Sequence, residues 1–71
     1  MKRQETEVRP LWRLEEVARY LNLAPKVARR FVAAPTFPAP IRLPNGLGGM
    51  SHARWKADDV EAWVERYREA A

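Results

Sequence analysis

Seven basic side chains lie in a stretch of the sequence that holds no acid. There is no Asp or Glu from residue 17 to residue 57, and the bases of this central basic segment are Arg19, Lys26, Arg29, Arg30, Arg42, Arg54 and Lys56. Such cations donate charge-assisted hydrogen bonds to phosphate oxygens, and Arg can also bind O6 and N7 of guanine together. The net charge of +4 divides into 0 for residues 1–16, +7 for 17–57 and −3 for 58–71. A self-repelling basic segment in so short a chain is typical of proteins that bind nucleic acid.

Residues that could perform catalysis are sparse. The chain has one His, His52, and no Cys, which excludes a Cys nucleophile and a thiolate zinc site. Ser51 directly precedes His52, and neighbours in a strand point to opposite faces, so this pair cannot build a Ser–His–acid arrangement. We therefore expect a protein that is not an enzyme and that needs neither a cofactor nor a metal.

Length and composition indicate one small folded domain. The chain has 71 residues, of which 46% are hydrophobic, and a domain of this size buries only about 60% of its unfolded surface. No apolar run approaches the roughly 18 residues needed to span a bilayer. The first five residues also lack the apolar stretch of a secretory signal. We expect a cytoplasmic protein with no membrane partner.

Two short helices should present part of the basic segment. Apolar residues recur at the i, i+3, i+4 and i+7 positions of a first helix, at Leu14, Val17, Ala18 and Leu21. Asn22 suits the turn that follows, and Pro25 suits the first position of a second helix, which should end near Val32. The apolar side of that helix, Val27, Ala28, Phe31 and Val32, leaves Lys26, Arg29 and Arg30 pointing away from the core. Two short helices of which the second is basic are typical of a helix-turn-helix.

A small β-hairpin should follow these helices. Five prolines between residues 25 and 44 and all three glycines lie in the middle of the chain, so residues 33–49 should not be helical. Residues 41–43 alternate apolar and basic, and residues 50–55 can return as the partner strand after the turn of residues 44–49. The second strand would place His52 and Arg54 on one face, with Trp55 on the other.

A third helix is predicted by the apolar positions Val60, Trp63, Val64 and Tyr67. Acidic residues 58 and 59 lie at its positive end and basic residues 66 and 68 near its negative end, as the helix dipole favours. Trp55 and Trp63 fall on inward faces and should be core residues. The predicted fold class is mostly α with a small β-hairpin, a winged helix-turn-helix of three helices and a two-stranded wing. Residues 1–10 would form a flexible arm or an added edge strand, 11–67 the domain and 68–71 a tail.

Three segments of the sequence resemble a known family. They are Glu-Val-Ala-Arg-Tyr-Leu at residues 16–21, Phe-Pro-Ala-Pro-Ile-Arg-Leu at residues 37–43, and Trp55 with Asp-Val-Glu-Ala-Trp-Val at residues 59–64. The Phe-Pro-x-Pro link, followed after a hairpin by Trp and Asp-Val-x-x-Trp, is the most specific part. Together they resemble the AlpA and excisionase group, small winged helix-turn-helix proteins of phages and integrated elements. Ala24 and Arg13 depart from the family, in which many members have Ser or Thr as helix caps.

The resemblance implies an excisionase, that is, a recombination directionality factor of a phage in a bacterial host cell. Several copies of such a protein bind adjacent sites on double-stranded DNA, bend the attachment site and direct the phage integrase toward excision. An AlpA-like transcriptional regulator is the alternative that uses the same surface. A protein-interaction adaptor, whose acidic third helix docks a partner, is an alternative of another class. RNA binding is disfavoured because the sequence predicts no aromatic sheet platform.

If the protein binds DNA, six of the seven bases of the central basic segment have an expected role. The second helix would enter the major groove, where Arg29 and Arg30 are the candidates for guanine contacts. Phosphate contacts would come from Lys26, Arg42, Arg54 and also Arg19. Asn45 and Gly46 would lie at the tip of the wing, where glycine lets backbone N–H groups approach phosphates or enter a minor groove.

Overall fold

The computed structural model describes residues 10–69, which contain three helices and two short strands. In chain order they are β1 (Leu11–Trp12), α1 (Leu14–Leu21), α2 (Pro25–Val32), β2 (Trp55–Lys56) and α3 (Ala57–Glu65). The first two helices have the predicted bounds. The expected flexible arm lies outside the described residues except for Pro10, and so do the last two residues of the expected tail. No helix within residues 10–69 is long and apolar enough to cross a membrane.

The start of α1 is stabilised without a Ser or Thr cap. Arg13 is the N-cap residue, and its backbone N–H donates to Oε1 of Glu16 at 2.8 Å. The helix ends at Asn22, which adopts the left-handed conformation with φ of 61°, a position that Asn tolerates better than most residues. The chain then turns directly into α2, whose N-cap Ala24 makes no side-chain hydrogen bond. Pro25 compensates in part because its ring fixes a helical φ.

The core lies where all three helices meet the small sheet. Its buried members are Val17, Phe37, Trp55 and Val60. The Phe37 ring meets Trp63 edge-on with 4.9 Å between ring centroids, and meets Trp55 in the same way at 6.2 Å. Trp63 is partly buried and packs against this cluster. The prediction that Trp55 and Trp63 are core residues is therefore confirmed.

The two-stranded sheet differs from the predicted hairpin. β1 pairs antiparallel with β2, with Leu11 opposite Lys56 and Trp12 opposite Trp55. The Ala57 N–H extends the pairing by donating to the carbonyl of Pro10 at 3.0 Å. The sequence analysis placed no strand at residues 11–12 because two residues are too few to show an alternating pattern. This pairing joins the start of the domain to the strand that leads into α3.

The chain turns back antiparallel after residue 49, as predicted, but the pairing between the two sides of the turn is irregular. We call residues 41–54 the wing. Ile41 and Arg54 exchange two backbone hydrogen bonds, of 2.6 and 2.8 Å, and Pro44 forms a second isolated bridge with Met50. Between these two bridges the chain advances three residues from Ile41 to Pro44 but four residues from Met50 to Arg54. The extra residue on the second side is the geometry of a β-bulge. Because proline has no N–H and the extra residue breaks the register, continuous strands over residues 41–43 and 50–55 do not form.

The third helix ends earlier than predicted. α3 stops at Glu65, so Tyr67 lies in the following turn, 54% exposed and with its ring centroid 5.1 Å from that of Trp63. Asp58 and Asp59 lie in the first turn as expected. Arg68 pairs with Glu65 through two hydrogen bonds of 2.8 Å. After Glu65 the backbone hydrogen bonds shorten to three-residue turns, since the N–H of Tyr67 donates to the carbonyl of Val64 at 3.0 Å and that of Arg68 to the carbonyl of Glu65 at 3.2 Å.

Candidate nucleic-acid interface

The basic residues of α2 all lie on its exposed side. Lys26, Arg29 and Arg30 are exposed, whereas Ala28 between them is completely buried. The small side chain of Ala28 lets α2 pack closely against α1, and the helix carries no acidic residue that could neutralise its outer face. α2 therefore presents three cations to solvent on one side of a helix that packing holds in place.

The structure brings a base of α2 and a base of the wing together. Arg29 and Arg42 line the same cavity of about 450 Å³, between α2, the wing and the start of α1. Its other lining residues are Arg13, Leu14, Glu15, His52, Ala53 and Trp55. Three Arg residues and one His thus line an opening in which Glu15 is the one acidic residue among the described lining residues. We call this opening the α2/wing cavity; it has the charge to accept an anionic group.

Arg13 is a member of this cluster that the sequence analysis missed. It lies in the neutral stretch of residues 1–16, where bases and acids are equal in number. Because the net charge of this stretch is zero, a count of charge along the chain does not single out Arg13. Its place beside Arg29 results from tertiary packing, so no local pattern in the sequence identifies it.

Arg54 occupies a different position from Arg42. It is partly buried, and its Nη1 donates to the carbonyl of His52 at 3.3 Å. Its backbone also forms the Ile41 bridge. Arg54 does not line the α2/wing cavity, so the structure ties this side chain to the base of the wing and does not bring it beside Arg29.

The wing tip, residues 44–50, is a turn held by a single side chain. Oδ1 of Asn45 accepts from the N–H groups of Leu47 at 2.8 Å and Gly49 at 3.2 Å. Gly46 and Gly48 have φ of +82° and +87°, values that residues other than glycine rarely adopt. Asn45 and Gly46 are expected to contact DNA, and in the structure they also determine the conformation of the turn. Leu47 projects from its apex, and the sequence analysis did not assign it a role.

A second surface lies on the other side of α2. It is a groove of about 720 Å³ between the ends of α1, α2 and α3, lined mostly by apolar side chains: Leu21, Phe31, Ala34, Thr36, Trp63, Val64, Glu65, Tyr67 and Arg68. We call it the α3 groove. Phe31, which is expected on the inward face of α2, is 41% exposed because it borders this groove. The hydrogen bonds and charge of Arg68 lower the pKa of the Glu65 carboxyl at its rim, and the pKa of Arg68 is raised in turn. Both side chains are well exposed, so solvent screens the pair.

Comparison of the chain with protein-family models, with curated proteins and with solved structures gives no match. Within residues 10–69, no three His, Cys, Asp or Glu side chains form a group that could hold a metal ion.

Proposed function

We propose that this protein is a sequence-specific DNA-binding protein of the winged helix-turn-helix class. The observation that carries the proposal is the exposed basic face of α2, which continues through the α2/wing cavity to Arg42 on the wing. Acids are absent throughout residues 17–57, so no carboxylate of the segment opposes a phosphate backbone. A contiguous patch of this kind is the electrostatic footprint of a nucleic-acid-binding domain.

The dimensions of α2 favour the major groove of DNA. An α-helix with its side chains is about 10–12 Å across, and the major groove is about 12 Å wide. Insertion of α2 would direct Arg29 and Arg30 at base edges, while Lys26 and Arg42 would meet the phosphates on either side. Arg13 and His52, in the cavity between helix and wing, would add to the phosphate contacts.

Within this class, we propose the role of an excisionase, in which bound copies bend attachment-site DNA and direct a phage integrase toward excision. The motifs that resemble the AlpA and excisionase group support this choice, since Trp55 and Trp63 of those motifs both pack in the core. Such a protein needs no chemistry of its own. It acts by shaping DNA and contacting the recombinase.

The α3 groove favours a second candidate, a protein-interaction adaptor. An open apolar groove with exposed Phe31 and Tyr67 on its border is suited to an apolar segment of a partner. The neighbouring α3 contains four acids and no base. An adaptor would use this surface and leave the basic face unoccupied.

Gel retardation with duplex DNA at moderate salt distinguishes the two. A DNA-binding protein should retard a duplex, and an excisionase should do so in discrete steps as successive copies bind. An adaptor should leave the duplex unshifted. As a control, Arg29→Glu places an acid on the basic face and should abolish retardation, whereas Glu65→Arg at the rim of the α3 groove should leave it intact.

A further inference from the structure

Leu47 at the apex of the wing tip is more exposed than any other large hydrophobic side chain of residues 10–69. Its exposed fraction is 90%, and Met50 and Leu43 on the same wing are 58% and 47% exposed. An apolar side chain in this position contributes no packing to the fold. It is therefore available to a ligand.

The backbone of Leu47 is fixed. Its N–H donates to Oδ1 of Asn45, and the turn is closed by the Asn45 N–H, which donates to the carbonyl of Gly49 at 3.0 Å. A backbone that is already ordered by its turn loses less conformational freedom on binding. The wing tip thus holds the backbone of Leu47 at the apex before a ligand binds.

The apex is also narrow. Gly46 and Gly48 flank Leu47, and no heavy atom lies within 4 Å of the place where a Cβ at either position would stand. Leu47 is therefore the one side chain at the front of the turn, with open space on both sides. A tip of this shape suits a cleft as narrow as the minor groove, which is about 6 Å wide.

The surroundings of the tip are suited to DNA. The wing belongs to the segment without acids, Arg42 precedes the tip, and residues 43–51 carry no charge of either sign. Proteins that bend DNA insert apolar side chains such as Leu between base pairs in the minor groove, while nearby cations hold the backbone. Resting on the proposed DNA binding, we propose that Leu47 is a wedge that enters the minor groove, partly unstacks one base step and kinks the duplex.

The wedge can be tested on duplex DNA of random sequence, without knowledge of the recognition site. A linear fragment shorter than the persistence length of about 150 base pairs closes into a circle slowly, and a protein that kinks DNA accelerates ring closure by DNA ligase. We expect the unsubstituted protein to accelerate closure. Leu47→Ala should lose this acceleration by roughly tenfold, the factor that corresponds to about 1.4 kcal/mol. Leu47→Met, which keeps a long apolar side chain, should retain most of it.

Affinity and salt dependence separate the wedge from the phosphate contacts. Leu47 neutralises no phosphate, so Leu47→Ala should leave the slope of log affinity against log salt unchanged. A duplex with one mismatched base pair is already easier to unstack. The unsubstituted protein should prefer it to the matched duplex, and Leu47→Ala should not.

Leu43→Ala is the matched control, because Leu43 is an exposed Leu on the same wing but away from its apex. We expect it to accelerate ring closure like the parent protein. Equal losses from Leu43→Ala and Leu47→Ala would overturn the wedge, because the effect would then not be specific to the apex of the wing. Ring closure that is unaffected by Leu47→Ala, in a protein that still binds DNA, would overturn the wedge alone. If the unsubstituted protein binds no duplex, the proposed function fails as well.

Discussion

Arg29 of α2 and Arg42 of the wing line the same cavity, although a proline-rich segment separates them in the sequence. The backbones of the two residues are held by different elements, one by the packing of α2 on α1 and the other by the bridge of the neighbouring Ile41 with Arg54. Binding of one anionic partner across the cavity would therefore fix the wing relative to the helix. α2 and the wing therefore contribute residues to one and the same surface.

The first prediction concerns the number of phosphates that this surface meets. If four to six of the seven bases in residues 17–57 contact phosphates, log affinity for duplex DNA should fall with log salt with a slope of roughly −4 to −5. Fluorescence anisotropy with a labelled duplex over a series of salt concentrations measures it. A slope shallower than about −1 would contradict DNA binding through this face.

The second prediction separates contacts to bases from contacts to phosphates. Arg29→Ala or Arg30→Ala should cost about 1–3 kcal/mol on the specific site and much less on random DNA, because the bidentate contact to guanine is lost. Arg42→Ala should weaken both alike, since phosphates carry no sequence information. Competition binding with the two duplexes gives both affinities.

Arg66→Ala is the control for these variants. Arg66 follows α3 and does not line the α2/wing cavity, so its loss should change neither affinity by more than the general effect of one charge. Equal losses on specific and random DNA for all the α2 variants would mean that α2 does not read sequence.

The bounds of α1 and α2 could be predicted from the sequence because the spacing of their apolar residues agrees with the residues that end one helix and begin the next. Asn22 and Pro25 mark the turn between α1 and α2, and the structure begins and ends these helices at the expected residues. Tyr67 was assigned to α3 on spacing alone. Spacing carries no information about where a helix ends, and here the chain passes into tighter three-residue turns after Glu65.

The pairing of β1 with β2 could not be predicted from local pattern. Two strands of two residues each have no measurable periodicity, and their partners lie at opposite ends of the domain. For the same reason the sequence did not indicate that Arg13 shares a cavity with Arg29. Lys26, Arg29 and Arg30 could be identified because one helix places them on one face, whereas a cluster built from several elements depends on tertiary packing.

The third prediction concerns the core. Trp63→Ala would remove the side chain that meets Phe37 edge-on and should lower the free energy of unfolding by about 3–5 kcal/mol. That is comparable with the whole stability of so small a domain, so we expect the variant to be largely unfolded. Thermal unfolding followed by circular dichroism would show it.

Trp63→Phe is the matched control. The indole Nε1 of Trp63 is buried and has no hydrogen-bond partner among residues 10–69, so Phe gives up no hydrogen bond there and keeps an aromatic ring against Phe37. Its loss of stability should be much smaller than that of the Ala variant. A Trp63→Ala protein with an unchanged cooperative transition would show that Trp63 does not belong to the core.

The fourth prediction distinguishes the turn-forming role of Asn45 from a contact with DNA. Asn45→Asp keeps an oxygen for the N–H groups of Leu47 and Gly49 but adds a negative charge at the wing tip. Its free energy of unfolding should stay within about 0.5 kcal/mol of the parent, while its affinity for duplex DNA should fall through repulsion of phosphates. Asn45→Ala should loosen the turn with no change of charge. Affinity that is unchanged in both variants would mean that the wing tip stays away from DNA.

The fifth prediction concerns the proposed role as an excisionase. Smooth bending of a site by 40–90° costs on the order of 1–6 kcal/mol, which several bound copies could share. We therefore expect cooperative binding to repeated sites about one helical turn apart. Circularly permuted fragments that carry those sites should migrate differently according to the position of the site. Addition of the protein to the cognate integrase should promote excision of the element.

The combination of outcomes separates an excisionase from a transcriptional regulator. Non-cooperative occupancy of a single unbent site, together with no effect on recombination by the integrase, would favour the regulator. Glu61→Lys and Glu65→Lys serve as the variants for the recombinase contact, because they reverse charge on α3 and leave the basic face of α2 intact. In an excisionase that uses α3 for the contact, they should reduce excision while DNA retardation persists. Loss of excision and retardation together would place the defect in DNA binding or folding, and excision that survives both reversals would exclude the acidic side of α3 as the integrase contact.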